Sequence, residues 1–201
     1  MIVIIDYGMS NLRSIHHKLS SSGIQSIISS DPEEISNAEK LILPGVGHFK
    51  SGMENLHNRN IVDILKKKVT YENTPIFGIC LGMQLFSNHS EEGNCTGLGL
   101  IDSRVVKFKI PNDLNIKIPH VGWNVSNFVK GSKILDGIAV NQEFYFTHSY
   151  HLECDDEVIL SKTNYGIDFV SAVQSDNIIG TQFHPEKSHM QGFKLLLNFC
   201  K

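Results

Sequence analysis

A nucleophile becomes an enzyme's nucleophile when a base stands near it and a third group holds the base. Cysteine is the side chain whose anion lies closest to reach near neutral pH. In Thr74-Pro-Ile-Phe-Gly-Ile-Cys-Leu-Gly-Met-Gln-Leu-Phe86, Cys80 sits between Gly78 and Gly82, after an apolar run and before a helical pattern. A G-x-C-x-G turn from buried strand to helix is the cysteine form of a nucleophile elbow. The glycines let strand and helix close on a tight, strained turn, which raises the side chain at the carboxyl edge of a sheet. A helix N-terminus behind the sulfur favours thiolate, and its free N–H groups, Leu81 foremost, suit an oxyanion. A lone cysteine is more often buried structure. That reading is kept for Cys95, Cys154 and Cys200, while the flanking glycines and elements reverse it for Cys80.

Ten histidines make any one of them uninformative. Phe183-His184-Pro185-Glu186 stands apart because it follows the strand-like run Ile178-Ile-Gly-Thr-Gln182. Residues two apart on an extended chain share a face, and a proline keeps the residue before it extended. His184 and Glu186 are therefore expected side by side, with Glu186 fixing the tautomer of an imidazole turned to Cys80. A third window, Leu43-Pro-Gly-Val-Gly-His-Phe49, places glycines on both sides of Val46 between a strand and a helix. Such a turn can aim N–H groups into a pocket. It is not G-x-x-x-x-G-K-[ST], and lysine at position 50 breaks G-x-G-x-x-G, so a phosphate cradle is the weaker reading.

The elements that must position these groups read as follows. Ile2–Ile5, Ile24–Ile28, Leu41–Leu43 and Pro75–Ile79 are apolar runs suited to strands buried on both faces. Between them lie helical spacings: Leu12 to Leu19, Phe49 to Leu56, and Ile61 to Val69. Strand alternating with helix predicts βαβ units. From there the pattern changes: 99–110, 121–130, 143–149, 157–162, 169–174 and 178–183 read as strands joined by turns, and Gly192–Cys200 as a closing helix. The expected fold is one α/β domain over 1–201, three-layered and flavodoxin-like. A mostly parallel central sheet carries helices on both faces and additional antiparallel strands.

The formal charge of -3 and pI near 6.3 argue against a nucleic-acid partner. The longest basic run, Lys66–Lys68, reads as the solvated end of a helix. No apolar stretch nears the ~18 residues of a membrane span, and Met1–Asp6 is too short and too soon acidic for a signal peptide. The expected location is the cytoplasm, with no membrane partner. Widely spaced cysteines without a CxxC pair suggest free thiols in a reducing compartment. His148 and His151 have no carboxylate or cysteine at supporting spacing, so neither metal nor cofactor is expected.

Taken together and in order, these windows resemble the class I (triad) glutamine amidotransferases. PGVGHF (44–49), GICLGMQLF (78–86), PHVGWN (119–124), FYFTHSYH (144–151) and QFHPEKS (182–188) are similar to the family of glutaminase subunits of imidazole glycerol phosphate synthase. The resemblance runs from DYGMSNL (6–12) to the last helix. It implies that Cys80 forms a glutamyl thioester from glutamine, with His184 as acid and base and Glu186 as its orienter. The backbone of Gly47, after a peptide flip at Val46, and that of Leu81 would form the oxyanion hole. Gln84, Ser149 and Tyr150 would hold the amino-acid head of glutamine. Asn11, Trp123 and Lys187 would face a (β/α)8-barrel cyclase in a heterodimer and pass it ammonia for histidine biosynthesis. Three other readings stay open at this point: the same glutaminase feeding a sugar amidotransferase of surface polysaccharides, a non-catalytic scaffold of the same fold, and a cysteine peptidase. Residue by residue, Trp123 as core and Asn11 as a helix cap are also open.

Overall fold

A computed structural model describes residues 1–201, the side chain of Asn112 excepted. The apolar runs of the first half become β1 (Ile2–Ile5), β2 (Ser26–Ser29), β3 (Lys40–Gly45) and β4 (Ile76–Cys80), all parallel in the order β2-β1-β3-β4. The second half adds β5 (His89–Ser90), β6 (Cys95–Thr96), β7 (Ser103–Lys107), β8 (His120–Phe128), β9 (Asn141–His148), β10 (Tyr150–Cys154), β11 (Ile159–Asn164), β12 (Asp168–Ser175) and β13 (Ile178–Thr181). β13 returns parallel to β4, and the sheet continues β13-β12-β10-β7-β5-β6. β11 leaves this path from β12 and carries β8, which in turn carries β9.

The helices are α1 (Leu12–Ser20), α2 (Pro32–Ser36), α3 (Phe49–Asn58), α4 (Val62–Lys66), the one-turn α5 (Leu81–Gln84) and α6 (His189–Cys200). Alternation along the strands divides the core in two. Ile2, Ile4, Ile42, Phe77 and Ile79 meet α1 and α6 through Ile15, Leu19, Leu195 and Phe199. Val3, Ile5, Leu41 and Leu43 meet α3, α4 and the end of α5 through Met53, Leu65 and Met83. Helices on both faces of a mostly parallel sheet is the expected three-layer arrangement. Among the described residues no helix is long and apolar enough to cross a membrane.

Four details differ from the sequence reading. The strand expected over 99–110 narrows to Ser103–Lys107, because Leu98 and Ile101 enter the core from loop rather than from a ladder. The strand expected to end at 149 is followed at once by β10, which the reading did not foresee; the chain steps at Ser149 from pairing with β8 to pairing with β7 and β12. The pieces β5, β6 and α2 are two to five residues long and were not anticipated. Lastly, the Lys66–Lys68 run is not wholly solvated. A π-turn over Lys67–Tyr71 rotates Lys68 inward, where its buried ammonium donates to Glu72 Oε2 at 2.9 Å.

Candidate active site

β4 runs between β3 and β13 and ends on Cys80. There the backbone takes φ 54° and ψ -109°, a conformation that L-residues rarely adopt and that marks stored strain. The neighbours enforce it. A Cβ on Gly78 would lie 2.6 Å from the Phe86 ring and 2.7 Å from the Met83 nitrogen, and one on Gly82 would overlap the Leu43 carbonyl. The helix behind the sulfur is a single turn, Leu81–Gln84. The dipole expected from it is correspondingly small, and the sharp turn itself is what presents the thiol. Cys80 is buried; its Sγ has the Thr147 carbonyl at 3.9 Å and receives the Gln182 amide Nε2 at 3.6 Å.

His184 leaves the end of β13 in extended conformation, with its N–H donating to the Tyr145 carbonyl at 2.9 Å. Pro185–Lys187 is a 3-10 turn rather than the continued extension expected. The turn still brings Glu186 back under the ring: imidazole Nδ1 donates to Glu186 Oε1 at 2.8 Å. Ser188 locks the corner, donating to the His184 carbonyl at 2.6 Å and accepting from the Tyr145 N–H at 2.9 Å. With Nδ1 committed, Nε2 is the free nitrogen, buried without a hydrogen-bond partner among the described residues. Burial opposes a charge on this ring. The Cys80 sulfur and the Glu186 carboxylate outweigh it and push the imidazole up to about 10. Burial pushes Cys154 and Cys200 up to about 11 and raises Cys95, which keeps these three as thiols.

Cys80 opens on a cavity of about 290 Å³ lined also by Val46, Gly47, Leu81, Gln84, Ser149 and Tyr150, which are the residues expected around the substrate. A larger hollow of about 360 Å³ beside β10 and β12 holds Cys154 and His151, but His151 Nδ1 bonds the Leu152 carbonyl rather than a carboxylate. The Val46 N–H donates to the Met9 carbonyl at 2.6 Å and so points to its own chain, while Gly47 has φ 108°, open to a glycine alone. Gln84 is buried and commits its amide N–H groups inside the protein, to the Tyr150 carbonyl at 3.0 Å and to Gln182 Oε1 at 2.9 Å; its own Oε1 is what remains for a ligand.

A cleft of about 110 Å³ lies on the other side of Val46, lined by His184, Glu186, Asn11 and Lys187. The Lys187 ammonium stands 5.8 Å from the Tyr145 ring centre, and Trp123 meets the same ring edge-on at 6.1 Å. Trp123 is 44% exposed and stacks on His189 at 4.6 Å, so the core alternative for it fails. Asn11 occupies the N-cap position of α1 but makes no side-chain cap bond. Among the described residues no group of three metal-ligating side chains occurs. His148 instead pairs with His120, Nδ1 of His120 to Nε2 of His148 at 3.0 Å, and burial pushes His148 down to about 3 and His120 to about 4, so both are neutral.

Two residues at the site went unassigned in the sequence. Glu92 is the one carboxylate lining the Cys80 cavity among the described residues, held by the Phe49 N–H at 2.8 Å; it lies in a loop with no periodic signal. Gln182 had a signal, being two residues before His184 on an extended run and thus on its face.

Cys80 at its strained turn and His184 bound to Glu186 are arranged as a nucleophile, base and orienter would be, and residues 3–201 match the family Glutamine amidotransferase class-I, to which this protein belongs. Within that family it is 54% identical, over 100% of this chain and 99% of the other, to imidazole glycerol phosphate synthase subunit HisH 2 of Methanococcus maripaludis. It is 46% identical, over 100% of both chains, to subunit HisH 1 of the same synthase from Campylobacter jejuni strain 81-176. A crystal structure of a glutamine amidotransferase superposes with TM-score 0.75 at 17% identity, over 100% of this chain and 99% of that one. A glutaminase domain of CTPS from Trypanosoma brucei gives 0.66 at 18%, over 98% and 91%. At those identities the structural likeness speaks for the fold.

Proposed function

We propose that the protein is the glutaminase subunit of an imidazole glycerol phosphate synthase, releasing ammonia from glutamine through a thioester on Cys80. The carrying observation is the constellation at the end of β4: a buried thiol at a left-handed backbone, and an imidazole whose Nδ1 is bound by Glu186. The Cys80 thiolate attacks the side-chain amide carbon, and the carbonyl electrons move to oxygen, held by the N–H groups of Leu81 and Gly47. The tetrahedral species collapses, the C–N bond breaks, and His184 Nε2 gives its proton to the departing nitrogen. Water, deprotonated by the same nitrogen, then cleaves the thioester to glutamate and thiolate. Glu92, the carboxylate of the cavity, suits the α-ammonium of the substrate, with Ser149 and Tyr150 at its carboxylate.

Val46 separates the cavity that takes glutamine from the cleft holding Asn11 and Lys187. A partner covering that cleft and Trp123 receives ammonia without letting it into bulk water. Full-length relatives carrying the synthase name favour a (β/α)8-barrel cyclase of histidine biosynthesis as that partner. The test is Cys80→Ala in the purified complex. Glutamine-dependent synthesis should fall by at least about 10³-fold while synthesis from added ammonia persists. Undiminished glutamine turnover by the variant would remove Cys80 from the reaction, and failure to bind a cyclase would remove the pathway.

A further inference from the structure

Gln182 is fully buried, one of its amide hydrogens faces the reacting sulfur, and the triad chemistry has no use for it. An amide so placed either helps the thiolate or opposes it, depending on which end points inward. The surroundings decide. The Tyr150 carbonyl can only accept, so the Gln84 group facing it at 3.0 Å must be the NH2. That same nitrogen lies 2.9 Å from Gln182, which must therefore present Oε1 to it. The remaining end of Gln182, Nε2, is left for Cys80 Sγ at 3.6 Å.

The chain of donors has a further arm. His148 Nδ1 also donates to the Tyr150 carbonyl, at 2.8 Å, which leaves Nε2 of the neutral ring bare to accept from His120 Nδ1 at 3.0 Å. His120 Nε2 then accepts from Asn124 Nδ2 at 3.2 Å, and the Val125 N–H, donating to Asn124 Oδ1 at 2.8 Å, fixes that amide in turn. Every bond agrees in direction with its neighbours. Two donors meet at one carbonyl, and one of them sets the polarity of the pair of glutamines.

We propose that Gln182 is a positioning residue for the nucleophile, donating a hydrogen bond to the Cys80 thiolate with its amide aimed by Gln84 and the Tyr150 carbonyl. As a thiol, Cys80 has the Thr147 carbonyl to turn to. Once the proton has gone to His184, a carbonyl is the wrong neighbour for sulfur and the Gln182 N–H is the right one. Hydrogen bonds to an ion are roughly twice as strong as those between neutral groups. The bond also fixes the direction from which sulfur meets the amide carbon. Glutamine binding at Tyr150 and thiolate orientation are joined through two side chains.

This rests on Cys80 being the nucleophile. The titratable groups around the sulfur are His184 with Glu186 behind it, Tyr7, whose buried hydroxyl stands beside Gly45, and Glu92, His148 and Tyr150 on the cavity wall. Gln182→Met keeps the size of the side chain and alters no charge. The experiment is the pH dependence of Cys80 alkylation by iodoacetamide in the full chain, read at the Cys80 peptide by mass spectrometry, with glutamine hydrolysis by the complex measured alongside. The midpoint should move up by about one pH unit, and kcat should fall about 10- to 100-fold with KM within about twofold. A packing role alone would lower the folded fraction and leave the midpoint in place. If Gln182→Met does not fold, Gln84→Met removes the aiming group without touching sulfur, and a smaller upward move is expected. An unmoved midpoint in the variant that folds overturns the role of Gln182 and leaves the triad untouched. An unreactive Cys80 in the unsubstituted protein overturns the triad reading itself.

Discussion

On the parallel side of the sheet, Cys80 is placed by close steric fit: Gly82 sits against the Leu43 carbonyl, Gly45 against the Tyr7 hydroxyl and the Gly82 nitrogen, and Gly78 against the Phe86 ring and the Met83 nitrogen. On the antiparallel side, the groups around the same cavity are placed by side chains that bond to one another, from Asn124 through His120 and His148 to the Tyr150 carbonyl. The first kind of support is steric and leaves almost no alternatives. The second is directional and depends on protonation. A nucleophile needs an exact backbone; a binding wall needs the right donors facing the right acceptors.

The strongest way to break this contrast is to add one methyl group to each side. Gly82→Ala should cost more than about 4 kcal/mol, or abolish soluble expression, because the Leu43 strand cannot withdraw. Gly122→Ala, in the β8–β9 hairpin, has φ 134° but nothing within 4 Å of its new Cβ. Its cost should be only backbone strain, about 1–2 kcal/mol. Urea unfolding of both variants reads the difference, and equal costs would end the distinction.

The next test is pH. His148 and His120 are neutral in the folded protein, held down to about 3 and about 4 by burial, and titrate near 6.5 when unfolded. Below about 6.5 the unfolded state therefore binds more protons. The stability they confer is complete above that pH and is lost as pH falls toward 4 and then 3. His184 has the opposite sign: held up to about 10, it contributes fully below about 6.5 and loses that contribution as pH rises to about 10. His148→Gln should shrink the stability lost between pH 7 and pH 5 by about 2 kcal/mol, measured by denaturant unfolding at each pH. An unchanged acid slope would show that the histidine pair carries no such load.

The smallest effect is expected at Trp123. Its ring is half-exposed and stacks on a surface histidine, so Trp123→Ala should lower stability by less than about 1 kcal/mol in a thermal melt. A loss above about 2 kcal/mol would return the ring to the core.

How far the sequence could be read follows the same division. The elbow and the His184–Glu186 pair were legible because steric demands leave marks in residue type and spacing: glycine where a Cβ cannot fit, proline where the residue before it must stay extended. The antiparallel half was legible as strands but not as a wall. At His148–Ser149–Tyr150 the chain changes partners without a proline or glycine, so β10 left no punctuation. Glu92 reaches the cavity from a loop between two-residue strands, and nothing local announces that. Lys68 turned inward because a π-turn shifts the helical register, which no 3.6-residue period anticipates. The polarity of Gln182 is a property of its neighbours and is written in no single window.

The left-handed backbone at Cys80 has a consequence for how this chain can change over time. A side chain held in such a conformation costs on the order of 1–3 kcal/mol, sustained only by the rigid parts around it. Natural selection on folding alone has no reason to keep that strain, since a glycine there would sit at ease. With Cys80 as the proposed nucleophile, the strain becomes a running record of use: a descendant freed from that chemistry would be expected to relax at this position before it lost its shape.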